Sequence, residues 1–189
     1  MKRLFLVAAL AVALASQPVV AQVQCAGGGC AEVTIVCQAA PSQATTGTAN
    51  QILATCPIPA GTLSSDGDQL VINGTYASAA NTNSKVAIIY VGAAGAGLGG
   101  FIVQSLSNAQ NNPSYWELYV LFTRRTNTTQ SAPSYSTRWG YTGVGALTSG
   151  ANATLNLSVD NEIVFAATTS VQAADLSLVY YSVTLRKNR

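Results

Sequence analysis

The chain has 189 residues, of which only 8% are charged, with nine basic and seven acidic side chains and no histidine. Without histidine the usual general base is missing, and Ser-His-Asp or Cys-His chemistry is excluded. Lys2 and Arg3 lie before residue 22, so the remainder is formally neutral and has no basic field to draw nucleic acid or anionic lipid.

Lys2-Arg3 precede the apolar run Leu4 to Leu14, and Val19-Val20-Ala21 precede Gln22. A positive start, a short apolar run and a small-residue cleavage motif predict a signal peptide over residues 1–21. The run is too short to span a bilayer comfortably. The expectation is an exported protein (periplasmic, cell-surface or extracellular) or a virion component, with no membrane association after leader cleavage. Residues 22–56 read as a cysteine-bearing N-terminal arm. Residues 57–189 read as one domain, long enough to bury a core between two sheets.

All four cysteines, Cys25, Cys30, Cys37 and Cys56, fall in that arm. An even count behind a leader predicts two disulfides, with three connectivities open. Zinc is the rival reading, opposed by the absence of histidine and of any Cys-x-x-Cys pair. Val33, Ile35 and Cys37 alternate within a short strand from Glu32 to Gln38, and residues 41–50 form a small-residue loop. Gln51 to Ile58 is apolar and extended.

Leu70, Ile72, Gly74 and Tyr76 share one face of the next strand, and Val86, Ile88 and Tyr90 share one face of another. Asn81-Thr82-Asn83-Ser84 reads as the polar turn between them. Gly95, Gly97 and Gly100 satisfy GxGxxG after a strand. A dinucleotide site needs a helix next, whereas Phe101 to Gln104 reads as a strand, so a flexible hairpin loop is predicted. Asn108 to Pro113 reads as a turn.

Tyr115 to Thr123 carries the strongest strand pattern. Trp116, Leu118, Val120 and Phe122 make one face, while Tyr115, Glu117, Tyr119, Leu121 and Thr123 make another that is also largely apolar. A central strand, or one covered at an oligomer contact, explains both faces. Low charge also points to a homo-oligomer. Residues 124–130 turn the chain, Ser131 to Gly143 reads as irregular, and Val144 to Leu147 as a short strand. Leu155, Leu157 and Val159 alternate inward in one late strand, and Ile163, Phe165 and Ala167 in the next. In Leu176 to Leu185 the phase slips at Tyr180-Tyr181, which predicts a bulge. The tail from Arg186 to Arg189 reads as solvated. Many short strands without helical period give an all-β chain, an antiparallel β-sandwich of jelly-roll type.

Beyond the leader the carboxylates are Glu32, Asp66, Asp68, Glu117, Asp160, Glu162 and Asp175. Asp66-Gly67-Asp68 and Asp160-Asn161-Glu162 read as a calcium loop or a catalytic pair on one view, and as turn chemistry on the simpler one. No catalytic, cofactor-binding or metal-ligating residue is assigned, and no cofactor is expected. Arg124-Arg125 is read as one structural ion pair and one solvated arginine. Four Asn-x-Ser/Thr sequons, at Asn73, Asn127, Asn152 and Asn156, match the general Asn/Thr richness. Tyr115, Tyr119, Tyr135, Trp139 and Tyr141 either stack on sugar rings or pack at contacts. Tyr135, Trp139 and Tyr141 are the candidate ligand contacts.

Ile58-Pro59-Ala60-Gly61-Thr62-Leu63, Gly67-Asp68, the strand Leu70 to Gly74, Asn81 to Lys85 and the strand Val86 to Gly92 form a recurring pattern. It resembles the small jelly-roll domains of tailed-bacteriophage structural proteins (tail-fibre, head-fibre and virion types). Trp116 to Gln130 resembles a later block of such domains, an aromatic-led strand followed by Arg, Thr and Gln. The likeness covers roughly residues 55–186. It implies a non-enzymatic structural or attachment role in a phage-like particle, a homotrimer, and partners among other particle or cell-surface proteins and glycans. The leader and the cysteine-bearing arm lie outside the pattern and point to the alternative, a secreted bacterial surface or carbohydrate-binding β-sandwich module.

Overall fold

The computed structural model describes residues 33–110, 114–139, 148–169, 171 and 173–188. They form eleven strands: β1 Val33–Ala39, β2 Gln43–Ala44, β3 Gln51–Ile58, β4 Gln69–Ser78, β5 Asn81–Ala93, β6 Phe101–Gln110, β7 Ser114–Arg124, β8 Gln130–Trp139, β9 Thr148–Ala153, β10 Asn161–Thr169 and β11 Leu176–Arg186. The larger sheet runs β1-β11-β4-β7-β8-β9, with β2 also on β11, and the smaller runs β3-β10-β5-β6. Every pairing is antiparallel.

The pairs β1–β11, β3–β10, β4–β7 and β5–β6 match early strands to late ones in reverse order. That is one long antiparallel hairpin rolled into two sheets, which is the jelly-roll topology. The β8–β9 hairpin extends the larger sheet beyond this scheme.

Strand phase sets the core. Leu70, Ile72 and Tyr76 of β4 and Trp116, Leu118, Val120 and Phe122 of β7 point inward and are buried. Ile163, Phe165 and Ala167 of β10 meet them from the smaller sheet. Gly74 leaves room for this contact, since a Cβ there would sit 3.1 Å from the Phe165 ring. Phe165 also packs on Tyr181, with ring centroids 4.7 Å apart.

Several elements differ from the sequence expectation. The inward face of β5 is Lys85, Ala87, Ile89 and Val91, while Val86, Ile88 and Tyr90 join Val164 and Ala166 in a second cluster on the outer face. Asn81 to Ser84 is not a turn but the irregular start of β5, where the register with β6 shifts between Asn81 and Lys85. Strand β6 continues through Asn108 to Gln110. The Ser/Tyr-rich stretch from 131 is strand β8, recruited by pairing with β7.

Thr154 to Val159 forms no strand, although Leu155 and Leu157 are buried, and Val159 is 45% exposed. The buried carboxamide of Gln130 takes a neighbouring strand's place, accepting from Leu155 N at 3.0 Å and donating to Leu155 O at 3.2 Å. The β11 bulge falls between Leu178 and Tyr180, one residue before the expected slip, so Tyr180 points outward and Tyr181 inward. The proposed strand at Val144 to Leu147 lies outside the described residues.

Candidate functional site

The turn before β4 is built around a carboxylate. Asp68 is fully buried, and its Oδ2 accepts from Ser64 N at 2.9 Å, Ser65 N at 3.0 Å and Lys187 Nζ at 2.9 Å. Its Oδ1 accepts from Asn188 N at 3.0 Å. Burial alone would raise the Asp68 pKa. The Ser65 N–H, the Lys187 ammonium and the Asn188 N–H outweigh it and hold the carboxyl below its ordinary value.

The C-terminal tail is therefore docked where solvation was expected. Lys187 Nζ also donates to Thr62 O and Ser64 Oγ, and Asn188 Nδ2 donates to Asp66 O. Gly67 has φ +89°, and a Cβ there would collide with the Asn188 side chain. Asp66 pairs with Arg124 at 3.0 Å, while Arg125 is exposed, which matches the expected split between the two arginines.

The opposite end of β4 buries the other sign. Lys85 Nζ donates to Asn81 O, Asn81 Oδ1 and Asn83 O at 2.9, 2.8 and 3.0 Å. Asp175 accepts from Asn81 Nδ2 at 2.6 Å and Asn83 Nδ2 at 2.7 Å. Burial lowers the Lys85 pKa and Asp175 opposes that shift. The Asn-rich stretch is thus a wrap around a caged ammonium, and both ends of β4 are locked by buried ions.

The remaining described carboxylates also hold backbone or side-chain donors. Asp160 Oδ1 accepts from Ala60 N at 2.8 Å, Glu162 Oε1 from Gly97 N at 2.6 Å, and Glu117 Oε1 from Asn73 Nδ2 at 3.1 Å. Asp160 and Glu162 tie sequence-distant loops to the start of β10, whereas turn chemistry predicts bonds to their own local backbone. Glu32 lies outside the described residues.

A further candidate surface is the outer face of the larger sheet. Pairing of β4 with β7 sets Val71 beside Leu121, Asn73 beside Tyr119 and Ala77 beside Tyr115. Tyr115 is 55% exposed and Tyr180 38% exposed, while Val71, Tyr119 and Leu121 are half-buried. Backbone register places Tyr135 opposite Tyr119 and Trp139 opposite Tyr115. The side chains of Tyr135 and Trp139, and all of Tyr141, lie outside the described residues. So the strand backbone brings two of the three predicted contact aromatics into register with two others, a pairing hidden in the sequence because β8 carries no apolar alternation.

On one side of the sandwich the two sheets end in β1 and β3. A cleft of about 940 Å³ opens between them, lined by Ile35, Val36, Pro57, Pro59, Tyr181 and Leu185 among others. The Cys37–Cys56 disulfide joins the two strands, with Cα atoms 6.1 Å apart. Pro57 and Pro59 lack N–H groups and blunt the β3 edge. Cys25 and Cys30 lie outside the described residues. The sequence signal for this cleft was the pair of prolines in an otherwise extended run, and it needed the Cys37–Cys56 pairing to place them.

No protein-family model matches the chain, and no curated protein matches it. Among solved structures it is similar to the CBM2 module of the evolved Dit of Lactobacillus casei BL23 phage J-1. The identity is 9%, over 71% of this chain and 69% of that one, with a TM-score of 0.38. A likeness that distant transfers no role or ligand.

Proposed function

We propose that this chain is a non-enzymatic structural or attachment protein of a phage-like particle, working as a homo-oligomer, a trimer by analogy with the virion domains its sequence resembles. The observation that carries this reading is the outer face of the larger sheet. It presents Val71, Tyr115, Tyr119, Leu121 and Tyr180, and its carboxylate Glu117 is engaged by Asn73. A broad, aromatic face whose carboxylate is already partnered suits contact with a second copy, because association desolvates little uncompensated charge. The carboxylates support a non-catalytic role, since each described one fixes a loop, a turn or a neighbouring strand.

A second reading is favoured by a specific observation. The Cys37–Cys56 bridge suits an oxidising compartment, and so fits a secreted bacterial surface or carbohydrate-binding module. Density-gradient fractionation of a producing culture, followed by mass spectrometry of the fractions, separates the two. The particle reading expects the chain in the particle band, and free chain in the supernatant alone overturns it. Light scattering on the purified protein tests the oligomer. A mass three times the protomer's is expected, reduced to the protomer's by Tyr119→Asp. A wild-type monomer at micromolar concentration overturns this part.

A further inference from the structure

The polar cluster at the start of β5 holds the parts of an acyl transfer. Lys85 and Asp175 are both buried, so an amine and a carboxyl are withdrawn from water side by side. The Asn81 carboxamide stands between them. Its Oδ1 accepts from Lys85 Nζ at 2.8 Å, and its Nδ2 donates to Asp175 Oδ1 at 2.6 Å. Since a carbonyl bond is about 1.2 Å long, the Lys85 nitrogen lies no more than about 4 Å from Asn81 Cγ. A regular strand would set residues four apart about 13 Å from each other. The register shift between Asn81 and Lys85 is what curls the chain and lets the two side chains meet.

Each group is set for one step. Burial favours the neutral form of Lys85, the form with a lone pair to attack. Asn81 Oδ1 also accepts from Asn83 N at 3.1 Å, and this backbone donor stabilises negative charge that develops on that oxygen. Asp175 Oδ1 sits on the nitrogen that would leave, while Asp175 Oδ2 is held by Asn83 Nδ2 at 2.7 Å. Nucleophile, polarised carbonyl and proton-carrying carboxyl are thus placed on one amide.

We propose that Lys85 and Asn81 join in an intramolecular isopeptide bond once the chain has folded. Lys85 Nζ attacks Asn81 Cγ, a C–N bond forms, the Cγ–Nδ2 bond breaks and ammonia leaves. Counted from its ammonium, Lys85 gives up two protons: one goes to the departing nitrogen and one stays on Asp175. Atoms and charge balance without an oxidant or a cofactor. The reaction replaces a buried ammonium and a buried carboxylate by a neutral amide and a neutral carboxylic acid, which removes the cost of keeping two charges out of water. The bond fixes the irregular start of β5 covalently, and it is independent of the particle and oligomer readings.

Intact-mass spectrometry and tryptic mapping of the purified protein test it. The wild-type mass should fall short of the sequence value by one ammonia, about 17 Da, in addition to the hydrogens lost to disulfides. After reduction and denaturation, trypsin should fail to cut after Lys85, because its side-chain nitrogen is then an amide. Fragmentation of the uncut peptide should place the link on Asn81. Asp175→Asn should keep the full mass and be cut after Lys85. The wild-type map decides the bond whether or not that variant folds. A wild-type chain of full mass that is cut after Lys85 overturns the proposal. So does a loss of ammonia with Lys85 still cut, the pattern left by cyclisation of an N-terminal glutamine or by a succinimide at Asn81. The same link in Asp175→Asn overturns the part given to Asp175.

Discussion

The two sheets treat their outer faces differently. On the smaller sheet, Ile88, Tyr90, Val164 and Ala166 are buried although they point away from the main core. Loops reach over them. Gly97 N donates to Glu162, which brings the β5–β6 connection onto this face. Asn50 donates to the Tyr90 hydroxyl at 2.7 Å and accepts from Thr168 at 2.9 Å. On the larger sheet, Tyr115 and Tyr180 stay exposed and Val71, Tyr119 and Leu121 half-exposed. Similar apolar content thus becomes a second small core on one sheet and an open surface on the other. The difference lies in what folds back, not in the strands.

Matched substitutions give the largest test of that contrast. Ala166→Asp places an unpaired charge in the covered cluster and should cost about 3–5 kcal/mol. Tyr119→Asp, on the open face, should change protomer stability by only about 0.5 kcal/mol. Urea denaturation of both variants, at a protein concentration where the wild type is dissociated, measures this, and equal costs would break the contrast.

A reference from the main core sharpens the scale. Leu118 is fully buried, so Leu118→Ala should lose about 2–5 kcal/mol in the same assay. A wild-type-like midpoint would mean that the inward face of β7 is not what holds the sheets together.

Covered and open positions also alternate within a single turn, at Asp68 and Asp66. The Asp68 carboxyl titrates below its ordinary 3.8 in the folded chain. Unfolding therefore takes up a proton as pH falls through that range, so this contribution is present above about pH 4 and lost in stronger acid. Melting temperature should fall as the pH drops below about 4. The fall should be smaller in Asp68→Asn, and an equal fall in both proteins would refute the assignment. Asp66 has a side chain 63% exposed, so its pair with Arg124 is screened by solvent. Asp66→Ala should cost at most about 1 kcal/mol, the smallest effect in the series.

Much of the fold was legible because alternation is a local property. The inward faces of β4, β7 and β10 follow directly from residues two apart. Alternation alone misjudged Leu155 and Leu157, because their partner is a side chain, Gln130, and not a strand. It also missed β8, whose Ser, Thr and Pro content has no apolar period and whose strand state comes from β7. The fully buried Lys85 was not foreseen although its acceptors on Asn81 and Asn83 are local, because Asp175, which holds those two carboxamides in place, lies far along the chain.

The sequence by itself determined an all-β chain of two-faced strands, the breaks between most of them and the absence of histidine chemistry, because side-chain alternation, turn residues and composition are written locally. Tertiary structure decided which face of β5 turns inward, which cysteine meets Cys37, where the C-terminal tail docks and which outer face stays open. Each of those depends on a partner distant in sequence, and the burial that fixes them exists only once the hairpin has rolled into two sheets.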